Sequence, residues 1–357
     1  MKKYISLLSV ILLVVALLTG CMGTPVVISD CTCPSEGGTA TTPSVPVTEG
    51  SVKTGLAVVT TATDSKSATA DEPGAVKIDS TVVAVTVDDK GVINSCIIDS
   101  IPATVNLDST GTITSDVNAA VPTKNELGAD YGMVAWGNAV AEWDAQAAAL
   151  ANFAVGKTVE ELKNGALDET GRAPAGSDLA SSATIYLGGF VSAIERAVNN
   201  ATHLGADAKD ELRLVTLNKL SSSTSATAET VGCVQLDADI TAVTVKDGVI
   251  TSCVIDSVQA KVNFDTTGTI TTDLALELPS KNELGESYGM VAYGNAIAEW
   301  NVQAASFAAY VTGKTAEEVA GIAINEATKP ADGTDLSSSV TISIGGFQAL
   351  IAKALAE

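Results

Sequence analysis

KNELGADYGMVAWGNAVAEW, residues 124–143, returns as KNELGESYGMVAYGNAIAEW at residues 281–300. Sixteen of these twenty positions are identical, whereas the next twenty, DAQAAALANFAVGKTVEELK and NVQAASFAAYVTGKTAEEVA, share only nine, so the first block is the more tightly constrained. A segment written twice marks an internal repeat, and its spacing sets the organisation of the chain. An offset of 157 carries Lys124 to Lys281, Gly156 to Gly313, Asp178 to Asp335 and Phe190 to Phe347 without a gap. One repeat unit therefore covers residues 54–200 and the other 212–357, each an ordinary single-domain size, with a polar linker at 201–211.

Outward from the quoted block, each unit divides into a strand half and a helix half. Val82–Val87 and Val92–Ile98 alternate around Asp88-Asp89-Lys90-Gly91, which reads as a β-hairpin. The second unit has Lys246-Asp247-Gly248 there, one residue shorter, and Asp-Gly is a tight-turn signal. A further pair, Ala103–Leu107 and Thr112–Ser115, surrounds DSTG, and its counterpart surrounds DTTG. Thr123-Lys-Asn-Glu126 and Ser280-Lys-Asn-Glu283 read as capping boxes. Asn138 and Asn295 are candidate N-caps of a long helix that stops near Gly156 and Gly313. Thr158 and Thr315 open another helix. A strand-like TIYL (184–187) or TISI (341–344) then precedes Gly-Gly-Phe and a terminal helix. The expected fold class is α+β: two homologous units, each an antiparallel β-meander of four short strands with helices packed on one face.

Residues 1–20 read as a lipoprotein signal peptide. Lys2 and Lys3 precede an apolar run from Ile5 to Leu18 that is too short to span a bilayer. Leu18-Thr19-Gly20-Cys21 resembles the lipobox of bacterial lipoproteins, which implies lipidation at Cys21, an anchor in the membrane and an extracytoplasmic address. Residues 21–53 are then a lipid anchor and flexible tether, whose 32 residues after the cysteine would span on the order of 30 Å as a coil. Cys31 and Cys33 lie in it without CxxC spacing or a nearby His.

The net charge of −22 and pI near 4.3 disfavour nucleic acid and anionic lipid surfaces as partners. With one histidine, His203, placed in the linker, neither unit can assemble a Ser-His triad or a His-rich zinc site. No P-loop or GxGxxG follows a strand. Enzymatic activity is therefore not the expected reading, although carboxylate chemistry stays open with 42 acidic residues.

Aromatic residues are scarce, at 4% of the chain, yet Tyr131, Trp136 and Trp143 crowd into one block and Tyr288, Tyr293 and Trp300 into its copy. Such rings either wall a planar ligand or plug the core. Gly188-Gly189 and Gly345-Gly346 each open a helix and either receive a phosphate on free N–H groups or allow close helix–sheet packing. Glu142 and Glu299 are either functional carboxylates or exposed helix residues. Cys96 and Cys253 occupy matching strand positions and read as small buried side chains, with Cys233–Cys253 the one intradomain bridge to test.

The hairpin sequences AVTVDDKGVINSCIID (84–99) and AVTVKDGVITSCVID (242–256), with the KNELG, YGM, EW and GKT that follow, resemble tandem-domain surface lipoproteins of anaerobic Gram-positive bacteria. The units of those proteins are similar to FMN-binding domains of exported electron-transfer proteins. The resemblance implies a small-molecule redox ligand of flavin type, with Tyr131, Trp136, Trp143, Tyr288, Tyr293 and Trp300 as walls and Gly188, Gly189, Gly345 and Gly346 as phosphate receivers. Neither unit carries the Ser-Gly-Ala-Thr acceptor of covalent flavin; Ser67–Ala70 and Ser225–Ala228 come nearest but lack the glycine. The implied FMN is therefore noncovalent. The alternative is a ligand-free structural or interaction lipoprotein.

Overall fold

A computed structural model describes residues 50–356; the leader, Cys21, Cys31, Cys33 and the tether up to residue 49 lie outside them. The described residues form an α+β body with two three-stranded antiparallel sheets. The first sheet is β1 (Lys53–Thr61), β2 (Gly74–Val87) and β3 (Ile93–Leu107), and the second is β4 (Glu211–Lys219), β5 (Gly232–Lys246) and β6 (Val249–Phe264). Each sheet keeps chain order, so its strands run as a simple meander.

The expected four short strands become three longer ones. The second and third merge into β3, which passes straight through Pro102. Proline has no N–H for a ladder, but β3 is an edge strand bonded only to β2, so it tolerates the loss. Thr112–Ser115 forms no strand and contributes only the bridge Leu107–Ile113. Strand β1 was not anticipated. The hairpin turns are local, and their chemistry is visible: Asp88 Oδ1 accepts the N–H groups of Lys90 and Val92, both at 2.8 Å, while Asp247 and Gly248 both take positive φ, 52° and 77°.

Helices α1 (Lys124–Leu127), α2 (Met133–Gly137), α3 (Trp143–Ala154), α4 (Val159–Ala166), α5 (Asp178–Ser182) and α6 (Gly188–Asn200) follow the first sheet. Helices α7 (Lys281–Leu284), α8 (Met290–Gly294), α9 (Trp300–Val311), α10 (Ala316–Ala320) and α11 (Gly345–Ala356) follow the second. Thr123, Thr158, Ser280 and Thr315 each close a capping box with the glutamate three residues on. Asn138 and Asn295 are not N-caps of the long helices. Each sits at the C-terminus of a one-turn helix, α2 or α8, in the left-handed region with φ 50° and 49°, a conformation asparagine tolerates better than other residues. Helices α3 and α9 begin five residues later. The TIYL and TISI segments are not strands; buried Gln146 and Gln303 accept the N–H groups of Thr184 and Thr341, both at 2.8 Å.

Burial on both sides of the sheets organises three cores. On β2, Val76, Ile78, Val82 and Ala84 face the partner sheet, where they meet Val234, Leu236, Ile240 and Ala242 of β5. Their neighbours Val83, Val85 and Val87 face outward and pack with Trp143, Leu150 and Ile194 of α3 and α6. On the second sheet, Val243 and Val245 pack with Trp300, Phe307 and Leu350 of α9 and α11. Helices thus cover one face of each sheet, and the other sheet covers the remaining face.

The contacts that join the two sheets are reciprocal. Ala68 N–H donates to Gly268 O and Ala226 N–H to Gly111 O, both at 2.9 Å. Ser67 Oγ accepts from Ile270 N–H at 3.0 Å, and Ser225 Oγ accepts from Ile113 N–H at 2.9 Å. The two SATA stretches are therefore spent on the opposite copy's DSTG or DTTG turn. All three cores lie within residues 50–356.

Candidate functional site on the doubled block

The doubled block builds the same small structure in both copies. Lys124, only 8% exposed, places Nζ 5.3 Å from the Tyr131 ring centroid and 5.1 Å from that of Trp143. Lys281 stands 5.2 Å from Tyr288 and 5.0 Å from Trp300. A desolvated ammonium over aromatic faces is held by their quadrupoles, so these rings bracket a side chain of their own protein. Trp143 and Trp300 are buried and meet Phe190 and Phe347 edge to face, at 5.8 and 5.9 Å. Neighbouring Asn125 and Asn282 donate their backbone N–H to Asp99 and Asp256 at 3.0 Å. Burial raises both carboxyls, that of Asp256 to about 6.

Glu142 and Glu299 are bound into the backbone. Glu142 accepts from Met133 N–H at 2.8 Å and Val134 N–H at 3.1 Å, and Glu299 accepts from Met290 and Val291 at 2.8 and 2.9 Å. Each carboxylate satisfies the otherwise unpaired donors at the start of a one-turn helix, which fixes the segment that follows.

That segment carries the ring the fold does not use. Trp136 is 89% exposed and Tyr293 91%. Each ring lies over a glycine with positive φ, Gly132 or Gly289: a Cβ on Gly132 would fall 2.3 Å from Trp136 Cδ1, and one on Gly289 would fall 2.6 Å from Tyr293 Cδ2. Val134 and Val140 flank the first ring and Val291 and Ile297 the second, all exposed. Residues 131–141 and 288–298 contain no charged side chain.

The expected walls therefore divide. Tyr131, Trp143, Tyr288 and Trp300 turn inward to the lysines, while Trp136 and Tyr293 turn to solvent. A first-copy cleft of about 400 Å³ is bordered by Tyr131 and not by either tryptophan. Gly188 N–H donates to Gly171 O at 3.1 Å, and its missing Cβ makes room for the Tyr186 hydroxyl. Gly345 packs against Thr328, whereas Gly346 borders a second-copy cleft beside Asp239. Lys124, Lys281, Asp79 and Asp239 were not singled out from sequence; the identity of the lysine in both blocks was the available signal.

Elsewhere, His203 bonds Ser51 Oγ at 3.3 Å and Asp89 at 2.8 Å. Cys96, Cys233 and Cys253 are free. Among the described residues, no three His, Cys, Asp or Glu side chains cluster as metal ligands, and no helix is long and apolar enough to cross a membrane. Comparison with protein-family models, curated proteins and solved structures gave no significant match.

Proposed function

We propose that the chain is a lipid-anchored extracytoplasmic surface protein that works by binding rather than catalysis. In this reading Cys21 carries the lipid, the chain from residue 22 to 49 tethers the body, Val52 and Lys53 already belong to that body, and the units at 54–200 and 212–357 are homologous, descended from one duplicated meander with helices on one face. The observation that carries the binding role is the exposed ring at Trp136 and Tyr293, held by the same glycine, asparagine and glutamate in both copies. A soluble body gains nothing by holding an uncharged apolar segment outward twice, and exposed apolar patches mark interaction sites. Two such platforms on one chain add avidity.

The experiment places a photoreactive phenylalanine analogue at 136 or 293 in cells that export the full chain, with exposed Glu160 as control. Crosslinks at 136 and 293 but not at 160 support the reading. No position-specific crosslink, or no palmitate label that Cys21→Ala removes, counts against its binding or anchoring half respectively.

A second reading, noncovalent FMN or a similar planar redox ligand, is favoured by the same exposed ring faces, since a ring held in place stacks on a flavin at low entropic cost. Incubation with FMN, desalting and a visible spectrum test it. Retained flavin lost in Trp136→Ala/Tyr293→Ala supports this ligand; a colourless protein with unchanged melting temperature leaves the ligand-free interaction protein.

A further inference from the structure

The lysine of the doubled block has different surroundings in the two copies. In the first, Asp79 Oδ2 closes on Lys124 Nζ at 3.1 Å, and Ser100 donates to the other carboxylate oxygen at 2.5 Å. In the second, Lys281 borders a cleft of about 570 Å³ that it shares with Lys219, Asp237 and Asp239. These are two cations and two anions, yet among the described residues none of the four has an opposite charge within 4.0 Å.

Neutral groups keep them apart. Asp237 Oδ2 accepts from Ser222 Oγ and Oδ1 from Gln235 Nε2, both at 2.7 Å. Lys281 is held by the faces of Tyr288 and Trp300. Asp239 is wedged beside Gly346, whose Cβ would lie 3.1 Å from Oδ2. The arrangement belongs to the second copy alone, because Thr81 stands where Asp239 does and Thr61 where Lys219 does. Opposite charges in one small cleft ordinarily collapse into ion pairs. Fixed apart, they form a dipole that a ligand completes by charge-assisted hydrogen bonds at both ends. A ligand of one charge satisfies one end and is repelled at the other, and the four lining charges sum to zero.

We propose that this cleft binds a small zwitterion, an amino acid or short peptide, with its carboxylate on Lys281 and its ammonium on Asp239 and Asp237. The volume lies within the range of small-molecule sites and leaves room for a side chain or a second residue. The exposed rings play no part, so this site and the surface reading above stand or fall separately.

The test is calorimetric titration of residues 22–357, which keep every described residue and all three cores, with alanyl-alanine and L-glutamine. The controls are acetyl-alanine, which lacks the ammonium, and alaninamide, which lacks the carboxylate. The expected result is one saturable site for at least one zwitterion, weakened about tenfold or more by blocking either end. Asp239→Thr imports the first copy's residue, so it keeps the fold, and lowers the affinity by a similar factor; Lys281→Met does so at the other end. Lys124→Met leaves binding unchanged. No saturable heat up to on the order of 10 mM of either zwitterion, equal binding of the blocked analogues, or undiminished binding by Asp239→Thr would overturn the proposal.

Discussion

Lys353, near the end of α11, donates its Nζ to Glu126, the capping-box glutamate at the start of α1. The matching residues of the other copy, Arg196 and Glu283, pair across the same boundary at 3.5 Å, and Arg196 also engages Glu277. Each copy's last helix thus reaches the other's first helix. Such partly exposed pairs contribute little energy singly; what they mark is an isologous boundary inside one chain. The shared apolar core holds it together. A protease site inserted at exposed Ala208–Lys209 should therefore yield, after cleavage, two fragments that still elute together in size exclusion. Separation without denaturant would contradict the shared core.

The division of the aromatic residues predicts opposite results for two tryptophans seven positions apart. Trp143→Ala should lose about 3–5 kcal/mol in chemical denaturation, as large-to-small changes of buried aromatics do. Trp136→Ala should stay within about 0.5 kcal/mol, as surface substitutions do. A comparable loss for both would mean that the Trp136 ring packs in the body.

Lys124→Met removes the cation between Tyr131 and Trp143 and leaves Asp79 with only the Ser100 hydroxyl. A loss of about 1–3 kcal/mol is expected in the same denaturation measurement, the range for a charged hydrogen bond together with a desolvated cation–π contact. Restoration by Lys124→Arg would show that charge over the rings is what matters.

Asp256 links stability to pH. Its carboxyl is raised by burial from 3.8 to about 6, so between those values the folded chain holds a proton that the unfolded chain has released. Stability from this group is thus present at low pH and lost as pH rises toward 6, amounting to about 2–3 kcal/mol. Asp256→Asn removes this titration while its side-chain oxygen still accepts from Asn282 and Ser257. The variant should gain on the parent between pH 4 and 6.5. Comparing the two chains cancels the depressed carboxyls, such as Asp108 and Asp265, which act in the opposite sense. A constant difference across that window would refute the assignment.

Thiol reactivity should rank by burial. The thiols of Cys96 and Cys253 are pushed up to about 12, so neither supplies thiolate near neutral pH. Cys233 is half-buried and less sheltered. Iodoacetamide on the native chain, mapped by peptide mass, should label Cys233 before Cys96 and Cys253, which react fully only in denaturant.

The features legible in sequence were those settled within a few residues. The capping boxes at Thr123 and Ser280 depend on side chains reaching neighbouring backbone and the Asp247-Gly248 turn on two positive φ angles, and these residues stand where the structure uses them. Asn138 misled because asparagine serves both an N-cap and a left-handed C-terminus, and only the position of the Glu142 carboxylate distinguishes the two. The second apolar face of β2 was present in VVAVTV, buried at every position, but periodicity cannot say whether a helix or another sheet covers it. The unpaired charges of the second-copy cleft were out of reach for the same reason: Asp237 and Asp239 lie on β5, Lys219 ends β4 and Lys281 opens α7, and whether opposite charges on separate elements touch is a matter of tertiary placement.

The face-to-face sheets also constrain how such a chain can grow. Each sheet has one apolar face that the other sheet covers, and the crossing turns and the last-helix contacts to the capping-box glutamates are made in both directions between two copies. A third copy added in tandem would find that surface already occupied and would leave its own uncovered. Copies of this unit are therefore stable in pairs, and elongation of the chain should proceed by twos, with any odd member recruiting a match from a second molecule.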